Sequence, residues 1–207
     1  MAYKVMIVDD QNMARGLFES IVKSSNDYEL VLSLDSASDA DVYMAKYDLD
    51  LVIMDIVMKE GINGLEAAEK LKKNYPDTKV LMVTSMPEHA FIKRAREIGV
   101  DSFWYKEIAQ KPFLEVMDRT MAGEHVYPDV SPVVSLGHAV STDFTDRELD
   151  VLRVLAAGCS DEEISEILKI SVATVRTHIT HMRDKTGYRS RMELALNALR
   201  SGIVVPD

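Results

Sequence analysis

The sequence predicts two domains of different class: an α/β domain built on one parallel sheet, and a small all-α domain after it. Two observations predict this division. Short apolar runs alternate with amphipathic segments up to about residue 122, and beyond residue 144 the segments have helical spacing only. The chain has 207 residues, of which 47% are hydrophobic, and that length is sufficient for two small domains.

Five apolar runs predict the strands of the first domain: Val5–Val8, Leu30–Leu34, Leu51–Met54, Val80–Val83 and Phe103–Tyr105. The segments near residues 12–24, 37–47, 64–75, 88–98 and 112–122 carry apolar side chains at helical spacing. Strands that are apolar throughout are typical of parallel sheets covered on both faces. Residues 1–122 are therefore predicted to form a five-stranded, doubly wound parallel sheet.

Capping signals mark the helices of the second domain, residues 144–207. The segments Thr145–Glu148, Ser160–Glu163 and Ser190–Glu193 each fit the capping box. Gly158 and Gly187 stand where helices should end. Together with a helix that begins after Ser171, these signals predict four helices and no strand.

Residues 123–143 are predicted to be the linker between the two domains. Pro128, Pro132 and Gly137 interrupt this segment, and its apolar residues follow no clean period. It has room for a short helix.

Composition excludes several classes of protein. The single cysteine, Cys159, rules out an internal disulfide framework, and no Cys/His cluster has the spacing of a zinc site. No apolar stretch approaches the ~18 residues that a membrane span needs, and the N-terminus lacks a secretory signal pattern. We therefore expect a cytoplasmic protein without a membrane partner.

The charge is unevenly distributed along an acidic chain of formal net charge −10. Residues 143–207 carry 9 basic and 11 acidic side chains, but the stretch from Arg176 to Arg191 has five basic residues against Asp184 alone. A local basic stretch of this kind fits either a polyanion contact or a solvated helix face.

Polar side chains follow the predicted strands at the edge where ligands bind to open parallel sheets. They are Asp9 and Asp10 after the first strand, Asp55 after the third, Thr84 after the fourth and Lys106 after the fifth. Three clustered carboxylates repel one another unless a cation joins them, and oxygen ligands suit Mg²⁺. Asp55 could then attack a phosphoryl donor, with Lys106 neutralising charge on the transferring group.

These five side chains resemble the phosphorylation site of receiver domains in two-component response regulators. The resemblance implies that Asp55 accepts a phosphoryl group from a sensor histidine kinase and that Thr84 and Lys106 bind this group. The only catalysis it implies is that of the protein's own phosphorylation and autodephosphorylation.

The same resemblance implies a Mg²⁺ site and a switch residue. Asp9, Asp10, Asp55 and the backbone carbonyl of Val57 would hold the metal. Phe103 occupies the place of the aromatic residue whose rotamer follows the phosphorylation state.

Two positions depart from the usual receiver pattern without removing a ligand. Lys59 stands where receivers usually have proline, in a loop that is expected to be one residue longer than usual and mobile. Glu107 follows Lys106 in place of the frequent proline, so the peptide bond there is expected to be trans.

The second domain contains a helix-turn-helix pattern. A helix over residues 161–168, a turn at Lys169 and Ile170, and a helix from Ser171 to about Lys185 are predicted. One side of the latter helix is apolar, and the other is small, polar and cationic. Residues 144–152, 157–164 and 171–178 resemble the NarL/LuxR-type DNA-binding domain.

This resemblance implies how the helix contacts double-stranded DNA. Arg176, Thr177 and Thr180 would face base edges in the major groove, and Thr174 and Lys185 would lie closer to phosphates. On the last helix, the apolar residues Met192, Leu196, Leu199 and Ile203 would form either a homodimer contact on DNA or part of the internal core.

The combined interpretation is a response regulator in which phosphorylation at Asp55 changes dimerisation and promoter binding. Two alternatives stay open. A phosphorylation-independent DNA-binding dimer would not need the Asp55 site. A Mg²⁺-dependent phosphatase with an aspartyl-phosphate intermediate would need a second aspartate two residues after Asp55, where this chain has Val57.

Overall fold

The computed structural model describes residues 2–58, 63–86, 88–106, 113–129 and 132–205. By its contacts the chain divides into two compact units, one of residues 1–85 and 91–130 and the other of residues 86–90 and 131–207. The predicted boundaries at residues 122 and 143 remain predictions. Among the described residues, no helix combines the length and the apolar composition needed to cross a membrane.

The first unit contains a five-stranded sheet in the order β2-β1-β3-β4-β5. Its strands are β1 (Tyr3–Val8), β2 (Tyr28–Leu34), β3 (Leu51–Asp55), β4 (Lys79–Thr84) and β5 (Ser102–Tyr105). All pairings are parallel, and the intervening and final helices are α1 (Asn12–Ser24), α2 (Ala40–Lys46), α3 (Gly64–Asn74), α4 (His89–Glu97) and α5 (Phe113–Met121). The predicted doubly wound α/β fold is confirmed.

The strands extend beyond the apolar runs that predicted them, because ladder hydrogen bonds do not require apolar side chains. β4, for example, begins at Lys79, whose N–H donates to the Asp50 carbonyl at 2.9 Å. On one face of the sheet, Ile53 and Val83 pack with Phe18 of α1 and Met117 of α5. Coverage of both faces explains why β3 is buried at every residue.

The chain continues beside β5 after α5 has ended. Phe103 N–H donates to the Val126 carbonyl at 2.8 Å, and the Tyr127 hydroxyl donates to the Val100 carbonyl at 2.7 Å. Val126 N–H donates to the Ser102 hydroxyl at 3.1 Å. Residues 124–127 of the predicted linker are therefore fixed to the first unit.

The second unit is mainly helical, with α6 (Asp146–Ala156), α7 (Asp161–Leu168), α8 (Val172–Thr186) and α9 (Arg191–Ser201). These four predicted helices are confirmed. Their apolar faces enclose a core that includes Val151, Leu155, Ile164, Val175 and Leu194.

Two of the three predicted capping boxes are complete. The Thr145 and Ser160 hydroxyls accept from the N–H groups of Glu148 and Glu163. The carboxylates of these glutamates accept in turn from the N–H groups of Thr145 and Ser160. At α9 the Ser190 hydroxyl accepts from Glu193 N–H, but the Glu193 carboxylate accepts from Arg189 N–H instead. The third segment therefore forms a simple N-cap, because the Glu193 carboxylate bonds to the residue before Ser190 and not to Ser190 itself.

A short hairpin precedes α6, although the sequence predicts no strand in this region. Its strands are β6 (Ser135–Leu136) and β7 (Ala139–Val140), and a 3₁₀ turn follows at Ser141–Asp143. Leu136 and Ala139 belong to the core of the second unit, and His138 N–H donates to the Thr186 carbonyl at 3.0 Å. The hairpin thus satisfies a carbonyl at the end of α8.

We expect Gly137→Ala to destabilise the second unit by about 2–4 kcal/mol. Gly137 has φ +64, and a Cβ there would lie 2.1 Å from the Thr186 backbone oxygen. Gly158→Ala is the matched control, since its φ is +92 but nothing lies within 4 Å of the new Cβ. That variant should lose only about 1 kcal/mol. Chemical denaturation measures both losses, and equal losses would contradict the close approach of the hairpin to α8.

Candidate functional site

The predicted acidic residues converge at the carboxyl ends of β1 and β3. Ligand oxygens of Asp9, Asp10 and Asp55 all lie within 4.8 Å of one another. Asp9 and Asp55 are 0% and 1% exposed. Lys106 follows β5, and its Nζ lies 2.7 Å from Asp9 Oδ2 and 3.1 Å from Asp55 Oδ2. The structure therefore brings together four of the five polar side chains predicted at the strand ends.

The charge of this cluster is only partly compensated. Three carboxylates face one ammonium, and burial raises the pKa of Asp55 to about 7. Lys106 opposes this rise in pKa, whereas the negative charges of Asp9 and Asp10 add to it. Without a further cation, the cluster therefore favours the protonated form of the Asp55 carboxyl over a wider pH range than an exposed aspartate allows.

The donor set fits a divalent cation. The buried oxygens Asp9 Oδ2 and Asp55 Oδ2 have no hydrogen bond of acceptable geometry to any described residue, nor does Lys106 Nζ. We therefore interpret their short contacts as charge pairing, which leaves the oxygen lone pairs available. Hard carboxylate ligands with incomplete charge compensation suit Mg²⁺.

Thr84 and Phe103 lie in the two neighbouring strands β4 and β5. Thr84 ends β4 and is 0% exposed, and its carbonyl accepts from Lys106 N–H at 2.9 Å. Phe103 is buried in β5, where its ring centroid lies 5.2 Å from that of Tyr105 and 6.2 Å from that of Tyr127. The switch role of Phe103 stays a prediction.

Val57 follows β3 by two residues and Met86 follows Thr84 by two, and both are partly exposed. The departures at Lys59 and Glu107 lie outside the described residues, so the expectations about the loop and the trans peptide bond stay predictions.

Gly64 is a site residue that the sequence did not single out. It begins α3, and its N–H donates to the Ile56 carbonyl at 3.0 Å. A Cβ at this position would lie 1.9 Å from the backbone oxygen of Asp55. The absence of a side chain at Gly64 therefore lets α3 approach the strand end that carries Asp55.

Arg15 is a second residue of the site that the sequence did not single out. Its Nη1 donates to the Asp9 carbonyl at 2.6 Å, and its Nη2 donates to Asn12 Oδ1 at 2.6 Å. The guanidinium thus holds the backbone between β1 and α1, where Asp9 and Asp10 lie. An arginine five residues after the acidic pair was the available sequence signal.

Helix α8 presents the predicted DNA-contacting residues on its exposed side. Thr174, Arg176, Thr177 and Thr180 are all exposed. On the opposite side, Val175, Ile179 and Met182 are buried in the core of the second unit. The helix thus packs by one face and leaves the other open to a groove.

The exposed groups of α8 already have intramolecular partners. Thr177 and Thr180 donate from Oγ1 to carbonyls four residues earlier, at 3.0 and 2.9 Å. Arg176 Nε donates to Asp161 Oδ2 at 2.9 Å, and its Nη2 lies 3.6 Å from Glu162 Oε1. The threonine hydroxyl oxygens keep acceptor capacity toward bases.

Lys185 has intramolecular partners that the sequence did not predict. Its Nζ donates to both carboxylate oxygens of Glu148, at 2.8 and 2.7 Å, and to the Asp143 carbonyl at 2.9 Å. Glu148 is 4% exposed, and these hydrogen bonds outweigh burial and lower its pKa. The ammonium thus compensates a buried charge, and the phosphate contact of Lys185 stays a prediction.

The apolar stripe on the last helix is shorter than predicted. Met192, Leu196 and Leu199 are 69%, 47% and 39% exposed on α9. Ile203 lies after the end of α9 and is 3% exposed within the core. It therefore does not belong to the exposed stripe, because the chain turns inward at Gly202, where φ is +68.

Comparison with known proteins gives the same two-part division. Residues 5–118 match the family model described as "Response regulator receiver domain". Residues 142–198 match the one described as "Bacterial regulatory proteins, luxR family". The response regulator protein VraR of Staphylococcus aureus is 31% identical over 211 aligned residues, which cover 99% of this chain and 100% of VraR.

Solved structures show the same fold. A structure of two RcsB dimers bound to two parallel DNAs has a TM-score of 0.64 and 18% identity, and the match covers 97% of this chain and 99% of that chain. A crystal structure of a DNA-binding response regulator of the LuxR family from Staphylococcus aureus has a TM-score of 0.54 and 28% identity. That match covers 57% of this chain and 98% of the other.

Proposed function

Because this chain belongs to the response regulators that join a receiver domain to a LuxR-type DNA-binding domain, we propose that phosphorylation of Asp55 controls its activity as a transcription regulator. The phosphoryl group would come from a sensor histidine kinase. The reaction would take place in the cytoplasm, where the second unit could reach promoter DNA.

The observation that supports this proposal is the buried cluster of three carboxylates and one ammonium. In the reaction, an ionised oxygen of Asp55 attacks phosphorus, and the bond from phosphorus to the donor imidazole breaks. Lys106, already within ion-pair distance of Asp55, compensates charge on the phosphoryl oxygens. Asp9, Asp10, Asp55 and the Val57 carbonyl would hold Mg²⁺, which neutralises charge on the same group when bound.

The aspartyl-phosphate would then shift a conformational equilibrium of the receiver. Thr84 moves toward the phosphoryl group, Phe103 follows into the space released, and the receiver surface changes. The altered surface favours a homodimer, and two copies of α8 together engage two half-sites on double-stranded DNA. This double engagement raises affinity without new contacts in either DNA-binding unit.

A DNA selection with and without phosphorylation tests the proposal. Random duplexes are selected with the full chain in Mg²⁺, in the presence and absence of acetyl phosphate. We expect one enriched motif with two half-sites and tighter binding after phosphorylation. Equal affinities would support the phosphorylation-independent dimer, and multiple turnover of general phosphate esters would support the phosphatase.

We expect Arg176→Ala to cost about 1–3 kcal/mol on the selected site and to flatten the preference at one base pair. The reason is that a guanidinium can donate two hydrogen bonds to guanine O6 and N7. Arg176→Lys is the matched control: it keeps the charge, and should retain binding to random DNA while losing most of the preference. Titrations at two salt concentrations measure both effects. If Arg176→Ala leaves the base-pair preference unchanged, Arg176 does not contact a base edge.

The lifetime of the aspartyl-phosphate is expected to be long, and Val57→Asn should shorten it. Hydrolysis needs a water aligned with phosphorus, and in receivers the residues two places after the acceptor and after Thr84 flank that approach. Here they are Val57 and Met86, which cannot hydrogen-bond a water strongly. Val57→Ala removes the shielding without adding a polar group. Decay of the labelled protein measures the three lifetimes, and equal lifetimes would contradict the role of residue 57.

A further inference from the structure

A carboxylate at the start of α7 contacts the proposed base-reading arginine of α8. Arg176 Nε donates to Asp161 Oδ2 at 2.9 Å. Arg176 itself remains largely open, with 64% of its side chain exposed, whereas only 16% of the Asp161 side chain is exposed. An exposed side chain is thus attached to a largely buried one.

Asp161 is in turn held from its other side. Arg191, at the start of α9, donates from Nη1 to Asp161 Oδ1 at 2.8 Å and from Nη2 to the Cys159 carbonyl at 2.8 Å. The two oxygens of Asp161 therefore bond to two different arginines. Arg191 also bonds to the Cys159 carbonyl, in the backbone before α7. Asp161 is therefore held both by its own place at the start of α7 and by an arginine at the start of α9.

The contact leaves the guanidinium of Arg176 able to bond elsewhere. Arginine has five N–H donors in a rigid planar fork, and Asp161 uses the one on Nε. The terminal nitrogen Nη2 lies 3.6 Å from Glu162 Oε1, on a side chain that is 66% exposed. Both terminal nitrogens retain N–H groups for the paired acceptors of a guanine edge. We propose that Asp161 is a positioning residue that orients Arg176 for base recognition. This inference rests on the proposed function of Arg176.

The charge of Asp161 should affect affinity in the opposite direction. Asp161, Glu162 and Glu163 place three carboxylates in the first turn of α7, beside the proposed DNA-contacting side of α8. Phosphates are repelled by these groups whatever the base sequence. Asp161 is therefore expected to weaken binding to all DNA while sharpening the discrimination among sequences.

Asp161→Asn separates these two effects. We expect at least a threefold loss of discrimination at the base pair read by Arg176. We also expect random duplex DNA to bind about two- to threefold more tightly at low salt, with the gain shrinking as salt is added. Glu166→Gln is the matched control, because it removes one carboxylate from exposed α7 surface and should leave discrimination unchanged.

A double-mutant cycle with Arg176→Ala assigns the loss to the arginine. Asp161→Asn should not change discrimination further once Arg176 is absent. Tighter binding with full discrimination would overturn the positioning role and leave only repulsion. A loss of discrimination that persists without Arg176 would overturn it as well, since Asp161 would then act through the fold.

Two further results complete the test. If Arg176→Ala leaves base preference unchanged, both the proposed function of Arg176 and this inference fail. If Arg176→Ala flattens the preference and Asp161→Asn does not, the positioning role alone fails.

Should Asp161→Asn not fold, Arg191→Lys removes the second anchor but keeps every carboxylate. It should lower discrimination without tightening the binding of random DNA, and unchanged discrimination would overturn the inference.

Discussion

Asp55→Asn is expected to abolish phosphorylation of the chain and, at neutral pH without Mg²⁺, to stabilise the receiver by about 1–3 kcal/mol. The amide cannot act as the nucleophile, so incubation with acetyl phosphate and Mg²⁺ should add no acid-labile phosphoryl group. The wild type should gain one. Intact-protein mass spectrometry measures the difference, and undiminished labelling of the Asn variant would refute the assignment of Asp55.

The gain in stability follows from the raised pKa of Asp55. Burial raises this pKa from 3.8 to about 7, so between these two pH values the folded state binds more protons than the unfolded state. The free energy of unfolding therefore falls as pH rises through this window, and the loss is complete above about pH 7. The Asn variant lacks this loss.

Denaturation with a chelator at pH 5 and pH 7.5 measures the pH dependence, and added Mg²⁺ should reduce it in the wild type. Asp48→Asn is the matched control, because Asp48 is exposed and its removal deletes a carboxylate outside the cluster. A wild type whose stability has the same pH dependence as Asp55→Asn would contradict the raised pKa of Asp55.

Gly64→Ala is expected to slow phosphorylation at least tenfold and to destabilise the receiver by about 2–4 kcal/mol. The added methyl would overlap the Asp55 backbone oxygen, which lies 1.9 Å from the position of an ideal Cβ. Either α3 or the end of β3 must move. Because backbone cannot rotate away as a side chain can, we expect this movement to displace the Asp55 nucleophile relative to the start of α3.

Gly16→Ala provides the contrast for this variant. Gly16 lies within α1, and nothing is within 4 Å of its added Cβ. Alanine is the better helix former, so this variant should be about 0.5–1 kcal/mol more stable than the wild type. Labelling rates and denaturation are measured on both variants. Wild-type labelling in Gly64→Ala would show that α3 can withdraw without moving Asp55.

The sequence was most informative where a physical requirement repeats along the chain. Buried parallel strands need apolar runs, so all five strands were predicted, with differences only at their ends. The strand-end carboxylates were predicted to meet because parallel strands bring their carboxyl ends to one edge. Cap residues located the four helices of the second unit because each cap satisfies identifiable N–H groups.

The missed features depend on contacts between distant residues, which no local pattern encodes. The hairpin has strands of two residues, too short for a period, and it is held by Thr186 and the core. The pairing of Lys185 with Glu148 joins residues that lie 37 positions apart in the chain. Nothing in the local sequence distinguishes Gly64 from other residues at helix starts. A side chain is excluded there because the backbone oxygen of Asp55, nine residues earlier, lies too close.

The segment beside β5 has a consequence for how this chain can be divided. β5 is the last strand of the sheet, and Val126 accepts a hydrogen bond from its Phe103 N–H. A receiver fragment that stops at residue 122 would leave this edge bare, and bare edges pair with other molecules and aggregate. A fragment that continues to residue 129 keeps the edge covered and retains Tyr127 against Phe103. Chimaeric regulators made by exchanging DNA-binding domains should therefore be joined after residue 129, so that each receiver retains the protection of its own edge strand.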